Sequence, residues 1–281
     1  MSNTVYLNGQ FIAASAAKIS VFDRGFLFAD SVYEVIPFYQ GMGFQLDEHL
    51  ARLNKSLAAL HINADHSFGE IATELVAKNG GGNKSVYIQV TRGAGTKRSH
   101  LIDNKMVPTV FACTTDITDN YALDIKDVLP IKVIVCEDLR GKHCDIKSTS
   151  LLANILVMEQ ARENGAQEAL LERDGLVLEG ASSSLFIVED ELIIAPQPSN
   201  TLLSGTTSQL VKRLALNNKL HFSHQPITYA RLLNASEVWI SSSTRGLLPV
   251  VQIDDTAISK GQIGPMWQRL YLLLSQSQSQ L

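Results

Sequence analysis

The stretch Val133-Ile-Val-Cys-Glu-Asp-Leu-Arg-Gly-Lys-His-Cys-Asp-Ile-Lys147, followed by Ser148-Thr-Ser-Leu-Leu-Ala-Asn-Ile-Leu156, carries the reading of this chain. A β-branched run ends in a loop, and Lys147 stands just before a polar cap and a strongly apolar helix. Held between packed elements, a lysine loses hydration, which favours the neutral amine that acts as a nucleophile. Some thirty residues on, Leu176-Val-Leu-Glu179-Gly-Ala-Ser-Ser-Ser184 sets a carboxylate at a strand end beside glycine and small hydroxyl residues. Taken singly, each has a plainer reading, a snorkelling surface lysine and a solvated glutamate. The surrounding chain has to decide.

Composition narrows the field. With 281 residues, the chain has room for one large domain or two modest ones. Its 45% hydrophobic and 19% charged content is that of a soluble globular protein. A formal charge of −4 offers no basic footprint for nucleic acid. The N-terminus opens on a polar strand pattern, so no secretory leader is expected, and no apolar run is long enough to span a bilayer. Cys113, Cys136 and Cys144 are odd in number and far apart, which suits a reducing cytoplasm better than a disulfide framework.

Along the chain, Val5 to Ile12 reads as a hairpin turning at Asn8-Gly9. Val32 to Tyr39 alternates as a strand, and Pro37 marks an edge or a bulge in it. Leucines at 46, 50, 53, 57 and 60 predict a helix over 46–60, with Arg52 beside the apolar stripe. A second helix is expected over 68–78, and strands over 85–92 and 107–113. Thr114 to Asp127 is polar and aperiodic and is the best linker candidate. We expect an N-terminal domain over 1–118, a linker at 119–121, and a C-terminal domain over 122–281 that carries Lys147. In that second domain, the helix from Leu151 to about Asn164 is apolar nearly all round in its first two turns, which predicts deep burial. Hairpins follow around Asp174-Gly175 and Val188–Leu192, then a helix from about Gln209 to Leu216. A strand over Glu237–Ser241, a short one near Val250–Ile253 and a helix over 265–274 come last. The Ser275–Gln280 repeat is expected to fray.

Leu203-Ser-Gly205-Thr206-Thr207 at a helix start is a plausible anion seat, since free N–H groups, the helix dipole and two hydroxyls converge there. A simple hydroxyl cap accounts for it equally well. Ser242-Ser243-Thr244 offers a second hydroxyl cradle. Arg98-Ser-His100 sets two cationic donors two residues apart, suited to a carboxylate, although an exposed basic loop would look the same. His221-x-x-His224 lacks a third ligand at metal spacing, so no metal site is expected. No G-x-S-x-G elbow supports a serine hydrolase. An activated lysine, a carboxylate and phosphate cradles together match the needs of pyridoxal 5'-phosphate.

With these motifs in order, the chain resembles the fold-type IV pyridoxal-phosphate enzymes: D-amino acid aminotransferases, branched-chain aminotransferases and aminodeoxychorismate lyases. The resemblance runs from about residue 5 to 274. It rests on Asp23-Arg24-Gly25 through Tyr33-Glu34, His49-x-x-Arg52-Leu53, Cys144-Asp145-Ile146-Lys147, Glu179-Gly180-x-Ser182-Ser183 and Gly205-Thr206-Thr207. It implies a two-domain α/β fold with the cofactor in the cleft between the domains. By the same likeness, Lys147 bonds the cofactor and shuttles the proton, and Glu179 meets the pyridine nitrogen. Arg52, Thr206, Thr207 and Ser243 seat the phosphate, with Ser182 and Ser183 also at the cofactor. Tyr33, Arg98 and His100 look like the substrate-carboxylate trap of the D-amino acid subfamily, whose Arg-x-His loop comes from the other subunit of a homodimer. The implied reaction moves the amino group of D-alanine to 2-oxoglutarate, giving pyruvate and D-glutamate. Alternatives on the same fold are an aminodeoxychorismate lyase, then a branched-chain aminotransferase. A non-catalytic phosphometabolite-binding protein is the reading from another class.

Overall fold

A computed structural model of the chain describes residues 4–103 and 105–280. Residues 1–3, 104 and 281, which include the outer ends of both expected domains and one position of the loop after Arg98, lie outside the described residues. The chain divides into two compact units, Met1–Asp119 with Ile146–Ser150, and Asn120–Asp145 with Leu151–Leu281.

The first unit is built on an antiparallel sheet. Strands β1 (Thr4–Leu7) and β2 (Gln10–Ala13) form the opening hairpin, with Asn8 and Gly9 both at positive φ (47° and 93°). That pair of angles is what a two-residue hairpin turn demands. Helix α1 (Arg24–Phe28) was not foreseen from periodicity, because five residues are too few to show one. Strand β3 (Ser31–Tyr39), the two-residue β4 (Met42–Gly43), helices α2 (Leu46–Ala59) and α3 (Phe68–Lys78), and strands β5 (Lys84–Thr91) and β6 (Thr109–Asp116) complete it. The strand order is β2-β1-β6-β5-β3-β4. Val32, Ile36, Leu53, Leu75, Val86, Ile88 and Val110 are sealed in its core. Pro37 sits in register with Ser85, while its carbonyl accepts the N–H of Phe44 on the opposite side. Its missing N–H therefore faces the β4 edge, where a proline does least harm to a ladder.

The second unit opens with strand β7 (Ile131–Glu137) and continues through α4 (Leu152–Glu163), β8 (Glu168–Arg173), β9 (Leu176–Gly180), β10 (Ser184–Glu189) and β11 (Leu192–Ala195). Helix α5 (Thr206–Asn217), β12 (His221–His224), α6 (Tyr229–Asn234), β13 (Glu237–Ser242), β14 (Gly246–Ile253), β15 (Thr256–Ala257) and α7 (Pro265–Gln278) follow. Its mixed sheet runs β12-β11-β10-β13-β14-β7-β8-β9, with β15 appended to β14.

Three expectations are corrected. Lys147 belongs to the first unit, because residues 146–150 leave the second and lie along β3, with Ile146 packed on the first unit's core. Helix α4 is not deeply buried: Val157 and Ala161 pack on β7 and β8, but Leu152, Ile155 and Leu156 are 70%, 62% and 60% exposed. A helix laid on a sheet buries one face, so apolar residues all round leave a second face bare. The Ser275 repeat does not fray at once, since α7 continues to Gln278. There, Ser275 donates to the carbonyl of Tyr121 at 2.7 Å and Gln278 is buried.

Candidate active site

The lysine's place follows from strand pairing. Tyr33 N–H donates to the Lys147 carbonyl (2.9 Å), Thr149 N–H donates to the Ser31 carbonyl (3.2 Å), and Val32 bridges Ser148 antiparallel. The segment thus extends the first half of β3 on the edge that β4 leaves open. Lys147 N–H also donates to Ser56 Oγ on α2 at 3.3 Å. Its half-buried side chain carries Nζ to 4.2 Å from the centre of the Tyr33 ring. An ammonium or amine over an aromatic face is held without being locked by a fixed hydrogen bond.

Helix α2 presents His49, Arg52, Leu53 and Ser56 at helical spacing on one face. Arg52 grips Glu34 of β3 with two parallel bonds, Nε to Oε2 at 2.9 Å and a terminal nitrogen to Oε1 at 2.6 Å. His49 Nδ1 stands 3.0 Å from the same Oε1, and Glu34 has no exposure at all. Burial pushes Glu34 up, but the His49 hydrogen bond and the Arg52 guanidinium outweigh it and hold the carboxyl well below its ordinary range. Burial drives His49 the other way, towards its neutral form, with only part of the effect undone by Glu34. The expected phosphate arginine is therefore oriented by a buried carboxylate and a neutral imidazole that sequence reading did not assign.

The expected carboxylate trap is arranged in two parts. Tyr33 stacks on Tyr87, ring centres 5.6 Å apart. Arg98 and His100 instead flank Phe28 of α1, with the Arg98 guanidinium 5.0 Å and the His100 ring 5.2 Å from that ring's centre. Arg24 anchors their loop: its guanidinium donates to the Ser99 carbonyl (2.6 Å) and pairs with Asp30 (2.7 Å). Asp30 is also held by Arg92 at 2.8 Å. Asp23, in turn, caps α1 through Gly25 N–H and accepts hydroxyls from Thr91 and Thr109. The Asp23-Arg24-Gly25 motif is thus a loop anchor, a role its neighbours in sequence give no means to see.

In the second unit, Glu179 lies near the end of β9, buried. One oxygen accepts from Arg140 at 2.6 Å and the other from the backbone N–H of Leu203 at 3.1 Å. Burial pushes Glu179 up to about 7, against the pull of Arg140 and the Leu203 N–H. Thr206 and Thr207 open α5, both buried, and Thr206 Oγ1 lies 3.4 Å from Ser243 Oγ. Gly205 caps this helix without a side chain, so the first-turn N–H groups face no capping oxygen from it. Ser182 and Ser183 behave otherwise. Their hydroxyls donate to Glu168 at 2.9 and 3.1 Å, in a cluster that Arg245 closes by pairing with the same carboxylate. Their hydroxyls brace the turn after β9.

The donor set on each unit fits pyridoxal 5'-phosphate: an amine on Lys147 with a guanidinium on Arg52 in one, a buried carboxylate with a hydroxyl-lined helix start in the other. These are the parts of an α/β enzyme of amine exchange. The family comparison agrees, for residues 31–253 match the model of amino-transferase class IV, and the chain belongs to that family. Class IV aminotransferases depend on pyridoxal phosphate. Among relatives, the D-alanine aminotransferase of Bacillus licheniformis is 37% identical over 97% of this chain and 96% of its own length. That of Staphylococcus haemolyticus is 33% identical over 95% and 94%. In fold, the solved branched-chain amino acid aminotransferase from Escherichia coli superposes with a TM-score of 0.87 at 21% identity, covering 96% of this chain and 92% of that one.

Proposed function

We propose that the chain is a D-amino-acid transaminase that moves the amino group of D-alanine to 2-oxoglutarate, releasing pyruvate and D-glutamate in two half-reactions. The match to D-alanine aminotransferases at 32–37% identity over 95–97% of this chain carries this reading. When bound, pyridoxal phosphate supplies a carbon that exchanges amines and a ring that accepts the electron pair left as the substrate Cα loses its proton. Lys147 would hold the cofactor covalently, and its Nζ, once freed by the substrate amine, would serve as the base that takes up and carries the proton of the substrate Cα. Glu179 keeps the ring nitrogen protonated. Arg52, braced by Glu34 and His49, holds the phosphate together with Thr206, Thr207 and Ser243. Tyr33, Arg98 and His100 orient the substrate carboxylate.

A homodimer fits this reading. Leu152, Ile155 and Leu156 on α4, and Phe26, Leu101 and Val107 on the first unit, are each at least 60% exposed, more apolar area than a lone chain needs. No helix among the described residues is long and apolar enough to cross a membrane. Cys113, Cys136 and Cys144 are free thiols, which suits a reducing cytoplasm. The test is the purified chain with pyridoxal phosphate, 2-oxoglutarate and either alanine enantiomer, followed by pyruvate release. Turnover with D-alanine and little with L-alanine is expected. A preference for the L-enantiomer, or formation of 4-aminobenzoate from aminodeoxychorismate without transamination, would sink the proposal.

A further inference from the structure

We infer that Arg140 is the positioning residue that aims Glu179, and that Asp138 and Arg173 serve to fix Arg140 in that pose. The inference rests on the reading of Glu179 as the acid at the cofactor's ring nitrogen. It deepens that reading by naming what makes the acid work.

Four charges alternate in sign along one line: Arg173, Asp138, Arg140, Glu179. Arg140 sends Nε and one terminal nitrogen to the two oxygens of Asp138, at 2.8 and 3.0 Å, and its other terminal nitrogen to Glu179 at 2.6 Å. The fork is thereby fixed in plane and direction, which a lysine could not reproduce. Asp138 is itself pinned: its side chain is fully enclosed, it accepts the backbone N–H of Arg140 at 3.0 Å, and Arg173 pairs with it at 2.9 Å. Arg173 also donates to the carbonyls of Arg140 and Gly141, at 2.8 and 3.2 Å, so the loop that carries Arg140 is held as firmly as its side chain.

A network built for stability alone is a poor account of this arrangement, because a buried ion pair gains little over well-packed apolar side chains. What it achieves is geometric. Each Glu179 oxygen has one fixed donor, Arg140 or the Leu203 N–H, which sets the plane of the carboxylate. A carboxylate accepts at about four positions, so capacity remains for a further N–H. The charged groups facing Glu179 are Arg140, which favours the ionised form, and Asp138, which opposes it, with the Cys144 thiol also within electrostatic reach. Burial leaves Glu179 at about 7 even against the pull of Arg140 and the Leu203 N–H, so without Arg140 its neutral form would gain further. A neutral acid cannot hold a proton on the ring nitrogen.

The test uses the full chain loaded with pyridoxal phosphate, with Arg140→Met, Arg140→Lys and Glu179→Gln alongside. The readouts are the pH midpoint of the bound cofactor's visible absorbance and the single-turnover rate with D-alanine. Loss of positive charge at the ring nitrogen lets the Lys147 nitrogen keep its proton to higher pH. Arg140→Met should therefore raise the midpoint by roughly one to two pH units and slow the single turnover, with KM little changed. Arg140→Lys should fall between Met and wild type, because it keeps a charge and loses the fork. Should the Met variant fail to fold, the Lys variant decides, and a wild-type midpoint in it overturns the inference. A damaged Glu179→Gln beside an unaltered Arg140→Met sinks the inference alone. Wild-type behaviour in Glu179→Gln removes both the reading of Glu179 and this inference.

Discussion

Lys147 is half-buried and its amine touches the Tyr33 ring, so the side chain contributes little to the fold. Lys147→Ala should abolish turnover and leave the cofactor unable to be fixed by borohydride, with an unfolding midpoint close to wild type. A covalently fixed cofactor in that variant would assign the role to another amine. Glu34 is the opposite case. It is sealed from water and engages both Arg52 and His49, so Glu34→Gln leaves a guanidinium in a dry site without its counter-charge. Removing one partner of a buried pair costs about 3–5 kcal/mol, which denaturant unfolding would report. Weaker cofactor binding should accompany it, because Arg52 loses the carboxylate that aims it.

At the scale of elements, helix α4 and the loop after β5 carry the sharpest expectations. Ile155→Glu on the bare face of α4 should shift a dimer towards monomer in sedimentation while leaving the helix formed, since Val157 and Ala161 still dock on the sheet. A wild-type sedimentation profile would mean that this face is not covered by a second copy. Gly93 begins the loop that leads to Arg98. It sits at φ +100°, and a Cβ there would lie 1.9 Å from the Val107 carbonyl oxygen. Backbone cannot yield as a side-chain tip can, so Gly93→Ala should cost at least about 2–3 kcal/mol and disturb the Arg98–His100 loop. Thermal melting and substrate KM would register the two effects separately. Most elements were legible beforehand. The α2 leucines, the Asn8-Gly9 and Asp174-Gly175 turns and the α5 start each declare themselves within one local period. The bare face of α4 was not, because periodicity tells how apolar a helix is and not how many neighbours cover it.

Across the whole molecule, pH acts in opposite senses on different groups. His49 is kept neutral and Glu34 ionised in the fold, so acidification loads the unfolded chain with protons that the folded chain refuses. Stability from these two is therefore present near neutrality. It is lost first as pH falls below the ordinary histidine value of 6.5, and further below the carboxylate value of 4.5. Glu179 runs the other way. Raised to about 7 from 4.5, it binds a proton in the folded chain across that window, so its contribution is present in acid and lost as pH rises towards 7. Melting of the cofactor-free chain between about pH 4 and 8 should show acid destabilisation that His49→Gln flattens and Glu179→Gln steepens. A flat profile that neither variant alters would contradict both assignments.

The sequence by itself determined where most strands and helices lie, the family, and which amine and which acid to propose for the chemistry, because periodicity, turn residues and short motifs are local signals. Only the tertiary structure decided what surrounds them. It moved Lys147 onto the first unit's β3 and gave Arg52 to Glu34 and His49. It also turned the Ser182 and Ser183 hydroxyls towards Glu168 and brought Arg140 to Glu179 across 39 positions of chain. The reason is physical. Buried charges must find partners, and which partners are within reach is set by strand order and register, neither of which any local stretch of residues contains.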